Sequence, residues 1–207
     1  MLVSVLLLHP IARLTSQAHP VSRAQAVETL RSRLRIGVGD SMVLFEDSIP
    51  GVFPGVVFLR GEWDNHGGQV SSNRAAAVGI GDRWIVVAGP HDLPSLIALG
   101  GPFTNPARFT TVGPWLNLLQ RTSLLSSDAR VIRSRAEIGT RQQAWLTPKA
   151  ALGRIRPPKT SGGGSSARAV FFVYDAGNVV MIEARVRNKT SFIVKMTHIA
   201  TPILPSL

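Results

Sequence analysis

Cysteine is absent from this chain of 207 residues, and aromatic and acidic residues are scarce. Without cysteine the chain has no disulfide framework, no thiolate zinc finger, no iron–sulfur cluster and no cysteine nucleophile. Aromatic side chains make up only 6% of the residues. The apolar run at residues 1–8 ends at His9 and Pro10, far short of the roughly 20 residues that a membrane-spanning helix needs. The sequence therefore predicts no transmembrane segment.

The apolar content is nevertheless sufficient for a folded core. Hydrophobic residues make up 44% of the chain, which argues against an intrinsically disordered protein. The length suits one domain, or one domain with an ordered extension. We therefore predict an N-terminal arm over residues 1–37 and a single β-rich domain over residues 38–207.

Positive charge is the strongest compositional feature. The 23 lysine and arginine residues exceed the 12 acidic residues, so the formal net charge is +11. The excess lies mainly in residues 1–35, with a net charge of +4, and residues 108–168, with +9, which flank a centre of −4. Arginine outnumbers lysine 19 to 4, which favours bidentate contacts with phosphate or carboxylate groups. A polyanion such as RNA is the partner that this charge predicts.

Residues 22–36 have the clearest helical pattern in the sequence. Ser22 and Gln25 have the spacing of a capping box, in which each side chain satisfies a free backbone N–H group at the helix start. Apolar residues then recur at intervals of three and four: Val27, Leu30 and Leu34. The spacing predicts an amphipathic helix within the N-terminal arm.

From residue 38 onward the chain has the pattern of short strands separated by turns. Runs rich in Val, Ile and Phe alternate with clusters of Gly, Pro and Asn, which is typical of antiparallel β structure. A short helix is predicted over residues 115–125 and a flexible loop over 157–166. The pattern indicates a mainly β fold, an antiparallel β sandwich or barrel. The predicted strands are 41–46, 55–60, 75–80, 84–88, 107–112, 169–174, 179–186 and 191–199.

Motifs for metals and nucleotide cofactors are missing. The histidines form no HxH, HxxxH or HExxH spacing, and without cysteine a metal site would need distant carboxylates. Gly79-Ile-Gly81 lacks the third glycine and the following helix of a dinucleotide-binding loop, and no phosphate-binding GxxxxGK[ST] motif occurs. The sequence predicts neither a metal ion nor a cofactor.

The last 40 residues resemble the end of the jelly-roll shell domain of small RNA virus coat proteins. In this comparison, residues 169–175 and 191–199 are the final two strands, and Thr201-Pro202 closes the second. The chain size, the many short strands, the Pro/Gly-rich loops and the basic balance are similar too. The resemblance implies a jelly-roll-like sandwich that assembles with copies of itself and neutralises RNA through phosphate contacts. It also implies a structural rather than enzymatic protein, located in the virion and the host cytoplasm.

A second resemblance, to trypsin-like serine proteases, rests on a single tripeptide. Ser161-Gly162-Gly163 is similar to the core around the nucleophile of that family. The resemblance implies Ser161 as nucleophile, His66 as base and Asp92 as the residue that orients the base. Lys159 and Thr160 stand where the family has a glycine and an acidic residue.

An organellar ribosomal protein is the third possibility that the composition supports. Residues 1–35 combine Arg, Ser and Leu with a single acid, Glu28, a composition also found in mitochondrial transit peptides. In this interpretation the protein binds ribosomal RNA in the mitochondrion, and its N-terminal segment is removed.

The candidate RNA-binding residues are the basic side chains of the two positive blocks. Trp145 is the aromatic residue placed within the second block and is the candidate for base stacking. The predicted phosphate contacts are Arg31, Arg33, Arg35, Arg121, Arg130, Arg133, Arg135, Arg141, Lys149, Arg154, Arg156 and Lys159.

Overall fold

The protein is mainly β and contains two antiparallel sheets, as the sequence predicts. A computed structural model describes residues 18–36, 41–63 and 74–203. The first sheet has the order β1-β2-β3-β4, and the second has the order β5-β8-β9-β10-β6, with β7 paired to the same edge of β8 as β5. The strands are β1 Met42–Asp47, β2 Val57–Trp63, β3 Arg74–Ile80, β4 Arg83–Val87, β5 Arg130–Ile132, β6 Leu146–Thr147, β7 Lys159–Gly163, β8 Ser166–Asp175, β9 Asn178–Arg187 and β10 Ser191–Pro202.

The helices are short, and four of the eight described helical segments lie in the chain between β4 and β5. The α-helices are α1 Arg23–Arg33, α2 Val112–Arg121 and α3 Thr140–Trp145. The 3₁₀ segments are Pro90–Leu99, Gly101–Thr104, Pro106–Phe109, Arg135–Glu137 and Lys149–Arg154.

The predicted helix near the N-terminus is present and begins with the predicted capping box. The Ser22 side chain accepts from the Gln25 backbone N–H, and the Gln25 side chain accepts from the Ser22 backbone N–H. Leu30 and Leu34 are buried in a cluster with Trp84 on β4 and Ala77 on β3. The helix therefore packs on the first sheet. The predicted arm over residues 1–37 is not shown as a whole, because its residues 1–17 lie outside the described residues.

The main core lies between the two sheets, an arrangement consistent with the predicted β sandwich. Phe58, Val78 and Ile85 of the first sheet share one apolar cluster with inward-facing residues of β8, β9 and β10. At its centre Trp115 of α2 is fully buried, and its ring contacts those of Phe109 and Phe192.

The strand predicted over residues 107–112 is wrong. Asn105 caps a 3₁₀ turn there, because its side-chain oxygen accepts from the Ala107 backbone N–H at 3.2 Å. Pro106 occupies the first position of that turn, where a missing N–H costs nothing. Helix α2 starts at Val112, close to the predicted start at residue 115.

The flexible loop predicted over residues 157–166 is also wrong in part. Residues Lys159–Gly163 form β7, which pairs with β8 in a tight hairpin. The composition predicted a loop because β7 is a surface strand. It carries polar residues and glycine instead of the apolar run that usually marks a strand.

The strand order differs from that of a jelly roll. A jelly roll is built from Greek keys, in which a long connection places non-consecutive strands side by side. Here β1 to β4 follow one another in space, and so do β8, β9 and β10. Short turns such as Gly81-Asp82 and Ala176-Gly177 allow each strand to pair with the next one in the chain.

Candidate functional site

The outward surface of the second sheet carries a group of basic residues from β7, β8, β9 and β10. Along β8 the residues alternate, so that Ala167 and Ala169 face the core while Arg168 is exposed. The same alternation along β9 buries Ala184 and Val186, whereas Arg185 and Arg187 are exposed and Glu183 is half-buried. We call the surface formed by these outward positions the basic face. Its basic residues are Lys159, Arg168, Arg185, Arg187 and Lys195.

Strand register brings these cations together. Arg168 lies directly opposite Arg185 in the β8–β9 pair, and Ser161 of β7 lies opposite Arg168. Lys195 of β10 lies opposite Glu183 of β9. Residues directly opposite each other on one face have Cβ atoms only about 4.5–5.5 Å apart. The guanidinium groups of Arg168 and Arg185 therefore share one small area of surface.

The charge of this surface is not balanced within the described chain. Glu183 is the acidic residue among the outward positions of this face, against five cations. None of the five forms a salt bridge with a described acidic residue, since the ion pairs involve other arginines and a histidine. Like charges directly opposite each other destabilise a sheet, so a bound anion would relieve repulsion at this face.

An open groove of about 760 Å³ runs across the basic face. Arg168, Arg185, Arg187 and Lys195 line it, together with the Ser161 side of β7. The lining contains no aromatic side chain. The groove thus offers positive charge and hydroxyl groups without a surface on which bases could stack.

Several of the predicted phosphate-binding arginines are engaged with the protein itself. Arg121 pairs with Asp47, and Arg33 lies 3.8 Å from Asp92. The Arg135 Nε donates to Gln143 at 2.6 Å, and Arg156 donates to the carbonyls of Gly153 and Ile155.

The remaining predicted residues lie at scattered positions. Arg130 stacks its guanidinium over the Tyr174 ring, and Arg31 is half-buried on α1. Only Lys159 of the predicted set belongs to the basic face. The exposed residues elsewhere are Arg35, Arg133, Arg141, Lys149 and Arg154. Trp145, the stacking candidate, is 53% exposed at the end of α3.

Counting charge by segment missed four members of the basic face. Arg168 was counted in the positive block but not selected, and Arg185, Arg187 and Lys195 lie in residues 169–207, which have a net charge of only +2. The signal that could have found them is the alternation of the predicted strands, since these residues occupy the positions that face away from the core.

The serine protease residues are only partly within the described structure. His66 lies outside the described residues. Asp92 is buried, and its carboxylate accepts from the backbone N–H groups of Ala88 at 2.8 Å and Gly89 at 3.1 Å, so it caps the 3₁₀ segment Pro90–Leu99. Ser161 is exposed on β7 beside the basic groove. The catalytic role of these residues stays a hypothesis.

Gly162 matters for the β7–β8 hairpin through its backbone. Its φ is +137°, and a Cβ there would lie 2.6 Å from the Ala167 Cα and collide with the Ser166 carbonyl. Gly163 has no described atom within 4 Å of its Cβ position. We expect Gly162→Ala to lower the free energy of unfolding by about 2 kcal/mol. Gly163→Ala is the matched control, and urea denaturation that gave equal losses for the two variants would contradict this account.

The described residues show no group of three His, Asp or Glu side chains that could hold a metal ion. Among their helices, none has the length and apolar character needed to cross a membrane. Comparison with known proteins found no matching family model, no matching curated protein and no matching solved structure.

Proposed function

We propose that this protein is a structural protein that assembles with copies of itself and binds RNA phosphates through the basic face. A viral coat protein is the form of this function that we favour. The observation that carries the proposal is the group of cations on β7 to β10 that form no ion pair with a described acidic residue, among which Arg168 and Arg185 lie side by side.

Several features of the basic face suit an extended polyanion better than a small one. The cations are spread over four neighbouring strands, which lie about 4.8 Å apart. Arg185 and Arg187 are two positions apart on β9, a distance of about 6.6 Å along the strand. Because the groove has no aromatic residue, binding would depend on phosphates and not on base sequence. Arginine-rich contacts of this kind are strongly weakened by salt.

Strand β1 supports self-association. It is an edge strand of the first sheet, and Val43, Leu44 and Phe45 are 42%, 39% and 40% exposed. An edge strand presents unpaired N–H and C=O groups that can pair with another chain. Three adjacent exposed apolar residues on such an edge favour burial against a second copy.

The division of charge along the chain supports a shell protein in particular. Residues 36–107, which include β1, have a net charge of −4, whereas residues 108–168 have +9. Acidic and basic parts of neighbouring copies can attract each other while the basic face neutralises packaged RNA. The resemblance to coat proteins rests on the pattern of the last 40 residues, the chain size and the basic balance, and it does not extend to the strand order.

The decisive experiment examines the purified protein by electron microscopy and size-exclusion chromatography. We expect large particles that carry RNA from the expression host, and we expect Leu44→Lys to reduce their size while RNA binding is kept. Ile203→Lys is the matched control, because Ile203 is similarly exposed at 47% but lies outside β1.

A monomer at every salt concentration would contradict the assembly part of the proposal. RNA binding by such a monomer would favour the ribosomal alternative. Large particles without RNA would contradict the RNA-binding part.

A further inference from the structure

Strand β1 leaves one edge of the first sheet without a strand partner in the described part of the chain. It lies at the end of the order β1-β2-β3-β4, and its residues 43–46 are exposed. The opposite edge differs, because β4 is buried over residues 84–87 and Trp84 exchanges two backbone hydrogen bonds with Val21. β1 is therefore the edge at which the first sheet can be extended.

The sequence of β1 does not have the features by which proteins usually protect such an edge. Lysine, proline and β-bulges are common forms of protection. The strand has the sequence Met-Val-Leu-Phe-Glu-Asp, and it pairs with β2 over six consecutive residues without a bulge. Its charges are the carboxylates of Glu46 and Asp47 at one end. A regular, apolar edge of this kind favours pairing with another strand.

The two faces of β1 present different apolar residues to a partner strand. Val43 and Phe45 lie opposite Glu62 and Arg60 of β2 and share a face with them, whereas Leu44 lies on the other face. The Arg60 guanidinium lies 5.3 Å from the centre of the Phe45 ring, and its Nε lies 3.8 Å from the Glu62 carboxylate. The apolar pair is thus bordered by two charges that already pair with each other, like the polar rim of a protein interface.

A second copy of β1 in the antiparallel direction fits this pattern when Leu44 lies opposite its own counterpart. Val43 of each copy then lies opposite Phe45 of the other, so all three exposed apolar residues face apolar residues. A shift of two residues in one direction would place Leu44 opposite Glu46, and the same shift in the other direction would place Phe45 opposite a serine. The hydrophobic pattern therefore selects one register.

The charges of β1 favour the same arrangement. In this register Glu46 lies opposite Met42 and Asp47 lies opposite Ser41, so no two carboxylates face each other. A parallel pair in register would place Glu46 beside Glu46 of the second copy, and like charges directly opposite each other destabilise a sheet. Antiparallel pairing of two identical edges is also two-fold symmetric, as most dimers are.

We propose that β1 pairs with β1 of a second copy in the antiparallel direction, with Leu44 on the two-fold axis. The two first sheets then form one sheet of eight strands. This inference rests on the self-association part of the proposed function, and it names the strand and the register through which two copies join. It does not involve the basic face, which lies on the second sheet.

The first test uses the absence of cysteine from the chain. In the proposed register, Leu44→Cys brings two Cβ atoms to about 4.5–5.5 Å, close to the separation of a disulfide. Glu46→Cys is the matched control, because Glu46 is also exposed on β1 but lies four residues along the strand from its counterpart, about 13 Å away. After mild oxidation of the full chain, we expect at least ten times more disulfide-linked dimer from Leu44→Cys on a non-reducing gel. Melting temperatures check that both variants are folded.

The second test mixes Leu44→Lys with Leu44→Glu. Each variant alone places two like charges opposite each other at the two-fold axis, whereas the mixed dimer places a lysine opposite a glutamate. We expect the mixture to dimerise about tenfold more tightly than either variant alone in sedimentation equilibrium. A mixture that dimerises no more tightly would show that Leu44 does not meet its counterpart.

The outcomes separate this inference from the proposed function. If the unmodified protein is monomeric at every concentration and Leu44→Cys forms no dimer, both this inference and the self-association part of the proposed function fail. If the unmodified protein associates but Leu44→Cys forms no more dimer than Glu46→Cys, only the β1 register is refuted. Efficient cross-linking of both variants would indicate a parallel pair and would also refute it.

Discussion

The double variant Arg168→Glu with Arg185→Glu should bind RNA about a hundredfold more weakly than the unmodified protein at physiological salt, or not measurably at all. The two arginines lie directly opposite each other in the β8–β9 pair, so the change removes two charge-assisted contacts and places two carboxylates beside the same phosphates. Fluorescence anisotropy with single-stranded RNA over a range of salt concentrations measures both the affinity and the number of phosphate contacts, since each contact contributes about 0.7 to the slope of log affinity against log salt concentration.

The matched control for this variant is Arg141→Glu with Arg154→Glu. Both residues are exposed and belong to the set predicted from charge blocks, and the total change in net charge is identical. We expect this control to keep most of the affinity. Equal losses in the two double variants would mean that net charge alone governs binding, and the basic face would then have no special role. Melting temperatures of both variants check that the sheet remains folded.

The variant Trp115→Ala should lose about 3–5 kcal/mol of unfolding free energy. Trp115 is completely buried in the main core, and its Nε1–H group donates to the Phe109 carbonyl at 2.9 Å. Its ring contacts those of Phe109 and Phe192, with centroids 4.5 Å and 5.6 Å away. Removal of the indole leaves a cavity between α2 and β10 and an unsatisfied carbonyl group.

Urea denaturation of Trp115→Ala beside Trp145→Ala measures this effect. Trp145 is half exposed, so its removal should change the unfolding free energy by no more than about 0.5 kcal/mol. A small loss for Trp115→Ala would show that the two sheets do not depend on this aromatic cluster. The Trp145→Ala protein also tests the stacking hypothesis, because a loss of RNA affinity without a loss of stability would support it.

Local features of the fold could be predicted from the sequence because short-range chemistry controls them. Ser22 and Gln25 form their capping box within a single turn of chain, and the strands in residues 169–199 follow from alternation between core and solvent. The failures also have local causes. Residues 107–112 contain β-branched and aromatic residues that suggest a strand, but Asn105 and Pro106 start a helical turn. Residues 159–163 lack apolar residues, yet backbone pairing with β8 makes them a strand.

The composition and periodicity by themselves determined that this is a mainly β, strongly basic protein with a helix near its N-terminus, predicted over residues 22–36 and observed over Arg23–Arg33. These properties depend on each residue and its near neighbours, so they can be read along the chain. Only the tertiary structure decided which cations lie together. Arg168, Arg185 and Lys195 are brought to one surface by the register of β8, β9 and β10, whereas Arg121 is drawn to Asp47 of the first sheet. Strand pairing joins residues that are distant in sequence, and a count of charge along the chain contains no information about that pairing.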